Sequence, residues 1–225
     1  NLARLGVDLG FVSIVGDDET GRALTRHLAD LGADVSQVIT SSERPTAEYA
    51  AILGVHNELV LGIADMDVFD LFSPAHLDRI WPHLASAAWV FMDCNMPAAT
   101  IRALLERKAG ARFKLAVDTV STPKAARLPK DLSGIDLLFT NFDEANTLLG
   151  LADDARLQPR NAAEALRNAG VGEVIVTMGA QGYAVATSAG VELMQPVPAQ
   201  PVDVTGAGDA MIAGTRFRVL AGDPL

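Results

Sequence analysis

The sequence is short of several residue types, and each shortage closes a route. One residue of 225 is cysteine, Cys94, so no intramolecular disulfide can form. With one cysteine and four scattered histidines (His27, His56, His76, His83), no zinc-ligand spacing is present. Positive charge is scarce: 18 Lys and Arg stand against 28 Asp and Glu, a formal net charge of −10. That balance argues against nucleic acid held by phosphate neutralisation, although a local site can still hold a small phosphorylated ligand. Long apolar runs are missing too. The longest, residues 84–92, is interrupted by Ser86 and is far too short to span a bilayer. No charged segment leads into an apolar one near the start, so a cytoplasmic setting with no membrane partner is expected. Residues 1–6 read like the last turns of a helix with Gly6 as its stop, and residues 223–225 follow a helical stretch. Both ends are expected to be cut from something longer.

What the chain does have is apolar content, 49% of residues, which excludes disorder and suffices for a sizeable core. Short β-branched runs alternate with stretches of helical period. Strands are expected at 11–15, 35–39, 89–92, 114–117, 137–139 and 173–177, with a hairpin at 183–187 and 191–194. Helices are expected at 20–31, from the Ser73-Pro74 cap to about 85, and at 98–108, 142–149, 161–168 and 206–221. This rhythm implies βαβ crossovers and a mostly parallel sheet. Strands at 46–53 and 58–63, joined by Gly54-Val55-His56-Asn57, break the rhythm and read as a flap. The predicted domains are therefore an α/β core, 1–44 and 64–225, and a β-hairpin lid, 45–63.

Ligands of open α/β sheets bind beyond the carboxyl ends of the strands. Those ends deliver Asp93-Cys94-Asn95, then Asp118 with Lys124 nearby, then Thr140-Asn141 with Glu144 one turn on, then Thr177, Gly179 and Gly182. The strongest local feature is Asp203-Val204-Thr205-Gly206-Ala207-Gly208-Asp209, directly before a helix. Small residues there let a ligand approach the backbone, and free N–H groups with the helix dipole attract an anion. Asp209 then sits in the first turn, where it can take a proton from an attacking hydroxyl or simply act as a favourable first-turn acid. Competing motifs fail. Gly206-x-Gly208 is followed by Met211 where a dinucleotide fingerprint needs Gly or Ala. Gly16-x4-Gly21 is followed by Arg22-Ala23, not by the Lys-Ser/Thr of a phosphate loop. The acids at 65–70 lack a calcium-loop pattern and read as a solvated turn.

These residues, in this order, resemble the ribokinase-like (PfkB) carbohydrate and nucleoside kinases. The resemblance rests on Gly16-Asp17-Asp18-x2-Gly21, Asn141-x2-Glu144, Thr177-x-Gly179-x2-Gly182 and Asp203-x-Thr205-Gly206-Ala207-Gly208-Asp209, and it runs along essentially the whole chain. Within the family the pseudouridine kinases are the most similar, through Pro45-Thr46, residues 63–66, Asp93-Cys94-Asn95 and Asp118-x-Val120-Ser121-x2-Lys124. The resemblance implies a three-layer α/β/α sandwich with a small β lid, and an ATP-dependent kinase. Asp209 would be the catalytic base and Gly206, Ala207 and Gly208 the anion hole. Asn141, Glu144, Thr177, Gly179, Gly182 and Thr205 would face the nucleotide. Asn141 and Glu144 would meet Mg²⁺ through water, and Asp203 with Thr205 would face a monovalent cation such as K⁺. Asp93, Asn95 and Thr46 would contact the acceptor, with Lys124 a further phosphate contact. The family's leading strand and trailing helices are absent from these 225 residues. Alternatives of the same fold are a plain sugar kinase and a non-catalytic relative that only binds ligand. The lid is a candidate homodimer surface, because exposed apolar strands need a cover.

Overall fold

The β-branched runs become strands, and the periodic stretches between them become helices. The computed structural model describes residues 1–54, 59–200 and 204–225. They fall into two compact units, Ser73–Ala199 and Asn1–Phe72 with Gln200–Leu225.

The unit Ser73–Ala199 is built on a six-stranded sheet. Its strands are β5 (Trp89–Asp93), β6 (Lys114–Asp118), β7 (Leu137–Asn141), β8 (Glu173–Thr177), β9 (Tyr183–Thr187) and β10 (Gly190–Met194), in spatial order β10-β9-β8-β7-β6-β5. Strands β5 to β8 are parallel, and β9 and β10 complete the sheet antiparallel. Leu115 to Val117, Leu137 to Phe139 and Val174 to Val176 are all buried, the unbroken apolar run of strands covered on both faces. Helices α2 (Pro74–Ser86), α3 (Ala98–Lys108), α4 (Thr122–Ala125), α5 (Phe142–Leu148) and α6 (Pro159–Asn168) precede or connect the strands. Because β5 to β8 advance in one direction, right-handed crossovers put their helices on one face. Accordingly α2 touches α3, α4 touches α5, α5 touches α6, and α6 lies against β8, β9 and β10.

Caps explain where the helices start. Ser73 opens α2 in a reciprocal cap, its N–H donating to Nδ1 of His76 at 3.0 Å, with Pro74 in the first turn. Asn141 opens α5 in the same way, with Glu144 at the third helical position.

The other unit contains β1 (Gly10–Gly16) and β2 (Asp34–Ser41), a parallel pair joined through α1 (Glu19–Asp30). The expected flap is an antiparallel hairpin, β3 (Glu48–Leu53) with β4 (Leu59–Asp65), and its tip at 55–58 lies outside the described residues. Gly6 closes a short 3-10 turn, Ala3–Leu5, at φ +78°, the expected glycine stop. The acids at 65–70 are exposed, as expected of a solvated turn. Asp67–Leu71 is a 3-10 turn that drives Val68 and Phe72 into the interior, which offsets the exposure of its carboxylates. The last helix, α7, spans Ala207–Leu220. Its buried residues are Ala213 and Arg216.

Candidate active site

Parallel register brings the expected strand ends to one edge of the sheet. Asp93 pairs with Asp118 across β5 and β6, Asp118 with Phe139 across β6 and β7, and Asn141 with Thr177 across β7 and β8. At the end of β5 the chain turns sharply. The Asn95 N–H donates to Oδ1 of Asp93 at 2.9 Å, and its Nδ2 donates to Oδ2 at 2.7 Å. Both Asp93 oxygens thus hold Asn95 in a fixed orientation. Lys124 donates to Oδ1 of Asn95, and burial pushes its ammonium below the usual lysine range. Lys124 is therefore part of this turn. Cys94, inside the turn, is fully buried, and burial among Asp93, Asp118 and Glu144 pushes its thiol well above the ordinary range, so it is an inert thiol.

At the end of β7 the Asn-x2-Glu pair is a capping box. Oδ1 of Asn141 accepts from the Glu144 N–H at 2.9 Å. In return Glu144 accepts from the Asn141 N–H at 3.1 Å and from its Nδ2 at 2.7 Å. The buried Thr119 hydroxyl also donates to Glu144. A cap of this kind stabilises a helix by about 1 kcal/mol. The Glu144 carboxylate, 5% exposed, is thus satisfied by three protein donors before any ion arrives. Among the described residues no group of three or more His, Cys, Asp or Glu could hold a metal ion. With its carboxylate already accepting three hydrogen bonds, Glu144 would meet a phosphate-borne Mg²⁺ only through water. Thr119 carries no motif signal. Only the register that sets β6 beside β7 brings it to Glu144.

The two glycines after Thr177 have different reasons. Gly179, at φ +57°, has nothing within 4 Å of where a Cβ would stand, so the backbone is open to a ligand. At Gly182, φ +93°, a Cβ would lie 2.1 Å from the Met194 carbonyl oxygen, so this glycine is demanded by the hairpin.

In the unit that carries α7, Gly206 is the N-cap at φ +75°, a left-handed conformation that favours glycine. A Cβ there would meet only Oδ2 of Asp209 at 3.7 Å, and one at Gly208 would meet nothing within 4 Å. Asp209 is exposed in the first turn. The expected anion hole is narrower than three N–H groups. The Ala207 N–H donates to the Val204 carbonyl at 3.1 Å, closing the turn, and the Gly206 carbonyl accepts from the Ala210 N–H at 2.9 Å, which leaves the N–H groups of Gly206 and Gly208 without an acceptor among the described residues. Thr205 is exposed, and Asp203 lies outside the described residues.

Thr46 stands at the base of the hairpin and is buried. Its hydroxyl accepts from the Gly16 N–H at 2.9 Å and donates to Oδ1 of Asp18 at 2.6 Å, while its own N–H donates to Oδ2 of Asp18 at 2.7 Å. With its hydroxyl spent in this way, Thr46 anchors the lid and does not offer a polar group to an acceptor. Asp18 also caps α1 by accepting from the Gly21 N–H at 2.8 Å. The hydrogen bonds from Thr46, with that from Gly21, hold its carboxyl down at about 2. Both glycines of the motif are forced by crowding: a Cβ at Gly16 would lie 2.5 Å from the Thr46 nitrogen, and one at Gly21 2.5 Å from the Gly16 carbonyl oxygen.

A parallel sheet whose strand ends carry an amide and acids, and a separate glycine-opened helix that presents a carboxylate, are the marks of an α/β kinase fold. The pfkB family carbohydrate kinase model matches residues 1–225, and the chain belongs to that family, a class of phosphotransferases with an alcohol group as acceptor. It is 28% identical over 215 residues to the pseudouridine kinase of Escherichia coli, covering 95% of this chain and 68% of that protein. It is 29% identical over 223 residues to the uncharacterised sugar kinase YeiI of the same organism, covering 99% of this chain and 61% of that one. The chain thus spans about two thirds of the length of these curated relatives. Among solved structures, a carbohydrate kinase from Agrobacterium tumefaciens superposes with a TM-score of 0.84 at 31% identity, covering 99% of this chain and 71% of its own. Arabidopsis thaliana ribokinase, solved with ribose and ATP, superposes at 0.79 with 22% identity, covering 99% of this chain and 72% of its own. The fold is ribokinase-like, as the sequence motifs imply. Among the described residues no helix is long and apolar enough to cross a membrane.

Proposed function

We infer that this chain carries out ATP-dependent phosphorylation of a primary hydroxyl on a nucleoside, with pseudouridine as acceptor and pseudouridine 5′-phosphate as product. The observation that carries the reaction type is the start of α7. An exposed carboxylate, Asp209, stands beside the N–H groups of Gly206 and Gly208, which have no acceptor among the described residues, with open space where side chains would otherwise be. The likeness to the Escherichia coli pseudouridine kinase over 95% of the chain supports the choice of acceptor.

Asp209 accepts the proton of the acceptor hydroxyl as that oxygen attacks the γ-phosphorus of ATP in line. The N–H groups of Gly206 and Gly208 stabilise charge on the transferring phosphoryl oxygens, aided by the helix dipole. Asn141 and Glu144 orient water around the nucleotide phosphates, and Gly179 leaves the backbone open to them. Thr177 and Thr205 belong to the same nucleotide-facing set. Mg²⁺, when bound, screens the phosphate charge. Asp203 remains the candidate for a monovalent cation such as K⁺. Asp93 and Asn95 recognise the acceptor, and residues 45–63 act as a lid anchored at Thr46. The setting is cytoplasmic.

One face of the lid carries Ala50, Ile52, Leu61 and Ile63, paired across β3 and β4, and all four are exposed. That face supports a homodimer through the lid, which I63E would convert to monomer in sedimentation. ADP release measured with pseudouridine, ribose and fructose in competition tests the acceptor. A plain sugar outcompeting pseudouridine removes the nucleoside reading, and ATP binding without turnover favours a ligand-binding relative.

A further inference from the structure

A short helix beside the acceptor turn has a geometry that the reading above leaves unused. The step from β6 into α4 passes through Val120, a β-branched residue at φ +66°, the sole non-glycine with positive φ among the described residues. The Ser121 N–H donates to the Thr119 carbonyl at 2.7 Å, so Val120 is the centre of a three-residue turn. A β-branched side chain in this region is strained, and such strain persists only where the surroundings over-determine it. Here Thr119 before the turn and Ala125 after it are fully buried, and Leu128 nearly so. The turn therefore fixes where α4 starts, and the anchors fix its direction.

The consequence lies three residues beyond Lys124. Nη1 of Arg127 is 2.5 Å from the Asn95 carbonyl oxygen, 3.2 Å from that of Met96 and 3.5 Å from that of Cys94. Three successive carbonyls converge on one cationic nitrogen, a charge-assisted clamp on the backbone of the turn. Lys124 holds the side chain of Asn95 in the same turn. The Lys124 ammonium also interacts with the Asp93 carboxylate at the strand end.

We propose that Arg127 is a positioning residue for acceptor binding: by clamping the carbonyls of Cys94, Asn95 and Met96 it holds the turn that aims Asp93 and Asn95, and the strained turn at Val120 sets its reach. This rests on the reading of Asp93 and Asn95 as acceptor contacts. The test is steady-state kinetics of the intact protein with the best acceptor among pseudouridine, ribose and fructose. R127M raises the acceptor KM at least tenfold, with kcat and the KM for ATP within twofold of wild type. R127K, which keeps a cation near the carbonyls, recovers part of that loss. N95A raises the acceptor KM in the same direction. V120G relieves the strain and loosens the turn, so it keeps or raises the thermal midpoint while raising the acceptor KM severalfold. It carries the test if R127M does not fold. An acceptor KM within twofold of wild type in R127M, or in V120G where R127M does not fold, alongside a raised KM in N95A, overturns the proposal and spares the acceptor reading. An unchanged KM in N95A and D93N removes the acceptor reading, and the proposal with it.

Discussion

Two aspartates of this chain share one local grammar and do opposite things. Asp18 and Asp209 both stand at the start of a helix with a glycine close before them, Gly16 two residues ahead of the first and Gly208 directly ahead of the second. Around Asp18 the space is full. Thr46 donates to it twice and Gly21 once, its carboxyl is held at about 2, and the glycines at 16 and 21 are forced by contacts of 2.5 Å. Around Asp209, which is exposed, the described residues leave the glycine positions open. Its glycine neighbours could each carry a Cβ without a clash, although the left-handed φ of Gly206 would strain any other residue. A helix-start aspartate whose carboxylate is fully bonded is a fastener, and one that opens outward is a candidate site. What fills the place of the missing side chains distinguishes them.

The largest expected effect is on turnover. D209N should lower kcat by about 10³, the scale of a lost general base, while pseudouridine binding by calorimetry stays intact. Near-normal turnover would sink the assignment. The glycines give a sharper contrast. G21A should cost about 1–3 kcal/mol in chemical denaturation, because its methyl meets the Gly16 carbonyl and the Thr46 hydroxyl. G208A should instead keep or gain stability, by up to about 1 kcal/mol, yet lose activity, since the methyl enters the space left for phosphate. Equal stability losses in the two variants would erase the distinction. T46A removes a buried hydroxyl shared by Gly16 and Asp18 and should cost about 1–3 kcal/mol, with T46S recovering most of it.

The smallest effect is a pH dependence. The folded Asp18 carboxyl titrates at about 2, against 3.8 for the ordinary group. Its contribution is complete above about 4 and is lost as pH falls towards 2, because the unfolded chain takes up that proton first. The difference in thermal midpoint between wild type and D18N should therefore shrink across that window. A constant difference would mean that Asp18 acts by shape and not by charge.

Much of the sheet was legible. Helix 98–108 and strand 173–177 fall on the predicted residues, because Pro97 and Lys108 bound the first and an unbroken apolar run defines the second. The strand ends were legible as one edge because parallel order follows from the alternation. Long-range polar bonds were not. Thr46 reads as an acceptor contact from its place on the flap, but its partner Asp18 is 28 residues away. Arg127 gave no signal, since its partners are backbone carbonyls, which no side-chain pattern reveals. The 3-10 turn at 67–71 was hidden by its acids. Two buried side chains, Val68 and Phe72, outweigh them, and no period over five residues can say so.

The thiol of Cys94 offers a clock. It is the only cysteine of the chain, fully buried, and roofed by the turn whose carbonyls Arg127 holds. A thiol reagent can reach it only when that turn opens. The rate of modification under native conditions then reports opening of the structure around that turn, without any label or probe added to the protein. An acceptor that binds the turn should slow that rate in proportion to its occupancy.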